Sequence, residues 1–122
     1  MLDLSKLKAL SMPEKEIEVE ILGEKQKLKI SAFGDDVSVR MADIRENKPD
    51  ECEINLRKIL LVSCAGLSLE DAEILLQKDG AAASKILSGI FSLANDFDQE
   101  RKKIKEQAEK NSGKGAAENT PN

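Results

Sequence analysis

Hydrophobic and polar residues alternate strictly over residues 16–30, EIEVEILGEKQKLKI, and the period changes to that of a helix soon afterwards. Ile17, Val19 and Ile21 fall on one side of an extended chain and Glu16, Glu18 and Glu20 on the other. Beyond Gly23, Leu28 and Ile30 continue the apolar side while Lys27 and Lys29 join the charged one. An antiparallel hairpin over 15–33 is predicted, with its tip at Gly23-Glu24 or one residue later, because glycine takes the positive φ of tight turns without steric cost. That tip sets Glu20 opposite Lys27 and Glu18 opposite Lys29, pairs that favour the register. A lone hairpin has two open edges and one apolar face, and is marginal in water. Something else must complete the sheet.

The helical period takes over after Gly34. Asp35 or Asp36 can cap a helix over about 35–46 with the stripe Val37, Met41 and Ile44. The alternation in VSVRM also suits a third strand, which would make a small sheet; helix is the preferred reading. Asp50 as N-cap with Glu53 three residues later opens a helix over about 50–65, whose run Ile59-Leu60-Leu61-Val62 places it at the centre of the domain. Gly66 stops it. Ser68 caps the next helix, 69–78, with Asp71 at the capping-box position and Leu69, Ala72, Leu75 and Leu76 on one face. The KDG turn follows, and Asp79 can cap a long last helix over 80–110. Its stripe is Ala83, Ile86, Leu87, Ile90, Phe91, Ala94 and Phe97; beyond Asp98 only Ile104 and Ala108 are apolar, so that end projects or frays. Charge spacings of four at Asp98–Lys102, Lys102–Glu106 and Glu106–Lys110 support the extension.

The predicted organisation is a leucine-bearing leader (1–13), one α+β domain (14–110) and a polar tail (111–122) too poor in apolar residues to order itself. The 122 residues allow one modest core and no second domain. No run approaches the roughly 20 apolar residues of a membrane span, and the N-terminus lacks a signal peptide's apolar core, so the chain is expected to be neither membrane-bound nor secreted. A net charge of −4 removes the basic face that a general nucleic-acid binder needs.

Candidate chemistry is sparse. The absence of histidine excludes imidazole catalysis and histidine–metal sites. Cys52 and Cys64 lie twelve residues apart in one predicted helix, about 18 Å along its axis and too far for a disulfide. Neither belongs to a CxxC pair. Glu70, Asp71 and Glu73 sit where a helix dipole favours acidic residues. DFDQE opens like a calcium loop, but Arg101 stands where the glycine is needed and Gln107 where the bidentate glutamate is needed. SGKG lacks the earlier glycine and the following Ser/Thr of a P-loop. The segment LLVSCAGLSLEDAEILLQ has the spacing of a helix-turn-helix, yet its second helix would bring three carboxylates to a phosphate-lined groove. No enzyme, no cofactor and no metal are expected.

What remains are devices for protein contact: strand edges, which another strand can complete, and the stripe of the last helix. The candidate residues for contact with a client or a second copy are Ile17, Val19, Ile21, Leu28, Ile30, Ile86, Ile90, Phe91 and Phe97. For Ile86, Ile90, Phe91 and Phe97 taken singly, a place in the monomer core is the preferred alternative.

The order KEIEVEILGEKQKLKI, apolar helix, AGLSLEDAEILL, KDG turn, KILSGIFSLANDF and polar tail resembles the tail assembly chaperones of long-tailed, lambda-like bacteriophages. The likeness covers residues 12 to about 100 and is one of pattern and order. It implies a non-catalytic protein of the host cell cytoplasm that binds the tape measure protein, keeps it soluble, helps tail tube subunits polymerise around it and is absent from the finished virion. It also implies homo-oligomers able to coat a long client. Many such proteins have a longer form made by ribosomal frameshifting, which makes Gly113-Lys114 the candidate shift position. A small helix-turn-helix DNA-binding regulator and a generic adaptor subunit are the alternatives.

Overall fold

The computed structural model describes residues 2–111. Its elements run α1 (Ser5–Ala9), β1 (Glu14–Ile21), β2 (Glu24–Ser31), α2 (Asp35–Asn47), a single 3-10 turn (Pro49–Glu51), α3 (Cys52–Ala65), α4 (Leu69–Lys78) and α5 (Gly80–Asn111). This is the expected α+β arrangement: an antiparallel hairpin first, then helices, the last one long.

The hairpin closes one residue earlier than expected. Leu22 (φ 51°) and Gly23 (φ 80°) form the two-residue loop, and positive φ at both positions is the mark of a type I′ turn. Glycine was expected to supply the positive φ of the turn; the other such position falls on Leu22. Moving the tip by one residue moves the register by two, so Glu20 faces Lys25, Glu18 faces Lys27 and Glu16 faces Lys29. An even shift leaves every side chain on its expected face. The ion pairs that form are diagonal, Lys29–Glu14 at 3.1 Å and Lys27–Glu16 at 3.9 Å.

The apolar face of the hairpin is completed by helices. α5 packs across both strands and α3 against β2. A notch at Gly89 allows the approach: a Cβ there would lie 2.6 Å from Ile30 Cδ1. Ile30 and Val19 are buried beneath, with Ile17, Ile21 and Leu28 packed at the margin.

α3 occupies the centre and touches α2, α4, α5 and β2. Leu56, Leu60, Leu61, Cys64 and Ala65 give it a buried side that faces Val37 and Met41 of α2, Ala72 of α4, and Ala82, Ile86, Leu87, Ile90 and Leu93 of α5. The region 36–46 is helix, with Ile44 half-buried beside Val37 and Met41.

Two caps form as expected: Ser68 Oγ accepts the Asp71 amide at 3.1 Å, and Asp79 Oδ1 accepts the Ala82 amide at 3.1 Å. Gly66 ends α3 at φ 71°. Two others do not. Pro49 begins a helical turn of its own, so Asp50 lies inside that turn, Glu51 takes the cap position of α3 and no side chain caps it. The N-cap of α2 is Gly34, which puts Asp35 and Asp36 in the first turn, where they meet the dipole without capping.

In α5 the apolar stripe turns away from Phe91 towards Leu93, which is buried and was not in the expected stripe. Asp98 pairs with Arg101 at 2.5 Å instead of Lys102. Among the described residues no ion pair forms at Lys102–Glu106 or Glu106–Lys110. The helix runs on to Asn111, and its residues 102–110 are exposed.

Candidate protein-interaction surface

Among the described residues only one face of the two-stranded sheet is covered. Glu14, Glu16, Glu18 and Glu20 of β1, with Lys25, Lys27 and Lys29 of β2, lie exposed on the other. The sheet contains β1 and β2 alone, so each strand has one outer edge without a strand partner among the described residues.

The turn fixes which backbone groups lie on those edges. A two-residue loop makes its flanking residues, Ile21 and Glu24, a hydrogen-bonded pair, and such pairs then alternate along the ladder. The Ala32 amide donates to the Pro13 carbonyl at 2.9 Å, which continues that alternation past the strand ends. The amides and carbonyls of Glu16, Glu18 and Glu20 therefore point outward from β1, and those of Lys25, Lys27 and Lys29 outward from β2. Glu14 and Ser31 complete the two outward-facing sets, so the outer edge of β1 carries four glutamates and that of β2 three lysines and, at its end, the uncharged Ser31.

The residues expected to make contacts divide into two groups. Val19, Ile30, Ile86 and Ile90 are between 0% and 2% exposed and are consumed by the chain's own core. Val19 and Ile30 are corrected from contact residues to core residues, and for Ile86 and Ile90 the core alternative holds, because α5 seats on the hairpin closely enough to bury all four. Ile17, Ile21 and Leu28 are half-buried against that core. Phe97 is half-buried with the Arg101 guanidinium 5.0 Å from its ring centroid, a cation–π contact. Phe91 stays 50% exposed, held edge-to-face against Phe33 at 5.8 Å. It borders a groove of about 330 Å³ floored by Met41, Leu56, Leu60 and Leu87. Gly113 and Lys114 lie outside the described residues.

A second groove, of about 420 Å³, has Ile44, Ile59, Val62 and Leu69 on its floor and Arg40, Lys48 and Lys58 on its rim. The expected contact residues do not include it. Its signal in the sequence is the apolar side of α3 opposite the core, visible in the all-round apolar run at 59–62.

The helix–turn–helix of α3, Gly66 and α4 is present, but Glu70, Asp71 and Glu73 are exposed at the start of α4, and Glu73 is tied to Lys58 at 2.9 Å. Cys52 and Cys64 sit at the two ends of α3. Burial raises the Cys64 thiol pKa above its ordinary 9.0, and its sulfur lies 3.8 Å from the Ala32 carbonyl oxygen. A buried, protonated thiol is a poor nucleophile. Among the described residues no three His, Cys, Asp or Glu side chains group as metal ligands, and no helix is long and apolar enough to cross a membrane.

Comparison with protein-family models, with curated proteins and with solved structures finds no match.

Proposed function

We propose that this protein is a non-catalytic binding chaperone of phage tail assembly, which keeps the tape measure protein soluble while tail tube subunits polymerise around it. The proposal combines the resemblance in element order with one structural observation: the hairpin is covered on one face only, and both of its outer edges are unpaired among the described residues. Open edges accept extended segments or further copies. Phe91 and the two apolar grooves offer side-chain contacts beside them. Aromatic anchors are few, three Phe with no Tyr or Trp, which suits weak, repeated and reversible contacts, since tight hot spots draw on Trp and Tyr. Homo-oligomers that coat a long client in the host cytoplasm, and a frameshifted longer form, belong to the same proposal.

A DNA-reading role would need Glu70, Asp71 and Glu73 to enter a groove lined by phosphates, against the counterion-release gain that drives such binding. It is not adopted. The deciding experiment is co-expression with the tape measure protein encoded in the neighbouring gene. A soluble client in stable complex is expected. A client that stays insoluble beside folded chaperone overturns the assignment.

A further inference from the structure

We infer that copies of this chain join head-to-tail, the outer edge of β2 in one copy adding to the outer edge of β1 in the next, and that pairing of like edges is blocked by charge. The inference deepens the self-association proposed above and rests on that reading.

Three observations carry it. Both outer edges lack a strand partner among the described residues. The backbone groups that would bond to an incoming strand belong to Glu14, Glu16, Glu18 and Glu20 on one edge and to Lys25, Lys27, Lys29 and Ser31 on the other, and the central three of opposite sign, Glu16, Glu18 and Glu20 against Lys25, Lys27 and Lys29, set the match. All six side chains stand exposed on the face that the helices leave open.

Consider the possible pairings in turn. Two β1 edges brought together set glutamate opposite glutamate, and two β2 edges set lysine opposite lysine; like charges directly opposed are destabilising. A one-residue slip offers no escape, since it turns the apolar side chains of the incoming strand to the open face. A β2 edge on a β1 edge keeps the antiparallel sense and sets Lys25, Lys27 and Lys29 opposite Glu20, Glu18 and Glu16. This is the match the chain already makes within itself.

The consequence is a polarity. An interface between two different patches leaves one of each kind free, so it propagates until a ring closes or an open array results. Rows of one sign on each edge also oppose indiscriminate edge-to-edge aggregation. Association becomes selective without a buried apolar interface.

Proline tests the polarity, because at these positions it removes an outward N–H and leaves the internal ladder intact. Glu18→Pro disables the β1 edge and Lys27→Pro the β2 edge. By sedimentation velocity on the full chain, each variant alone is expected to stay monomeric. Their mixture is expected to form a one-to-one dimer through the surviving β2 and β1 edges. Wild type should grow beyond a dimer with concentration and fall back towards monomer in about 1 M salt, where the screening length is roughly 3 Å. Circular dichroism checks that both variants fold. If either does not, the triple variant Glu16→Gln, Glu18→Gln, Glu20→Gln serves instead, and should lose most of the salt dependence.

A Lys27→Pro variant that dimerises alone, a wild type that stops at a closed dimer, or a mixture that stays monomeric overturns head-to-tail pairing. Should wild type remain monomeric yet keep the tape measure protein soluble, edge pairing fails while the chaperone assignment stands.

Discussion

Leu22 holds φ 51° at the hairpin tip with its side chain 98% exposed, so it contributes nothing to the core and occupies a conformation that suits asparagine or glycine. Leu22→Asn is expected to raise stability by about 1 kcal/mol, read from the urea midpoint. An unchanged or lowered midpoint contradicts the type I′ assignment. Gly89 presents the opposite case. Alanine gains about 1 kcal/mol of helix propensity there, but its Cβ would stand 2.6 Å from the Cδ1 of a fully buried Ile30. Overpacking is expected to win, with a net loss of about 1–2 kcal/mol for Gly89→Ala. Ile30→Val removes the obstructing methyl, so the double variant should be more stable than the two single losses added together. Strict additivity would show that the notch is not what seats α5 on the hairpin. At Cys64 the shift has a pH consequence. Its folded pKa is raised above 9.0 by burial, so the protonated thiol's stabilisation is fully present below that value and is lost as pH rises through the folded pKa. In denaturation series from pH 7 upward, wild type should lose stability relative to Cys64→Ala only above about pH 9. A gap that is independent of pH rules this out.

Among the elements, two caps proposed from the same sequence logic had opposite outcomes. Ser68 bonds the Asp71 amide, and Ser68→Ala should cost about 1 kcal/mol of thermal or chemical stability. Asp50 caps nothing, because Pro49 starts a separate 3-10 turn ahead of α3; Asp50→Ala should fall within about 0.5 kcal/mol of wild type. Equal losses for the two would contradict this placement of the helix start. The same contrast measures what could be read in advance. Hairpin, helix order, the central position of α3 and the stop at Gly66 were legible because each rests on a long apolar period or on glycine at a positive φ. The hairpin register was not, since one leucine taking an uncommon φ moved the tip. The division of the α5 stripe was carried by spacing but not drawn: Leu93 stands seven residues after Ile86 and three after Ile90, on the buried side, whereas Phe91 lies two residues from Leu93, about 200° around the helix, and stays exposed. For the candidate surface, strand edges and alternating charges were visible in the sequence. Ile86 and Ile90 were legible as core from the stripe; that Val19 and Ile30 are used up there as well follows from the close seating of α5 on the hairpin, which no pattern encodes.

For the whole molecule, contact with other chains must use what the core leaves over. Phe91 is a large apolar side chain left exposed beside a groove, and Phe91→Ser should cost roughly 0.5–1.5 kcal/mol for the lost ring contact with Phe33, in addition to the apolar area that its half-buried ring covers. On the proposed function, the same substitution should lower the soluble fraction of co-expressed tape measure protein several-fold while the hairpin-edge association persists. Full client solubility with the variant would place the client contact elsewhere, the groove ringed by Arg40, Lys48 and Lys58 being next to test. On the two proposals these surfaces can thus be separated by experiment: backbone edges for copies of the chain, side-chain grooves for its client.

No polar or charged side chain is buried anywhere among the described residues. The interior of aliphatic side chains, small residues, the Met41 thioether and one thiol holds a single weak side-chain hydrogen bond, from Cys64 to the Ala32 carbonyl, so many combinations of Leu, Ile, Val and Ala of equal volume should fill the rest as well. Lineages of such a chain are free to drift in the letters of the core while keeping its rhythm. Whatever stays fixed as they diverge should be found outside it, in the sign of the charge along each strand.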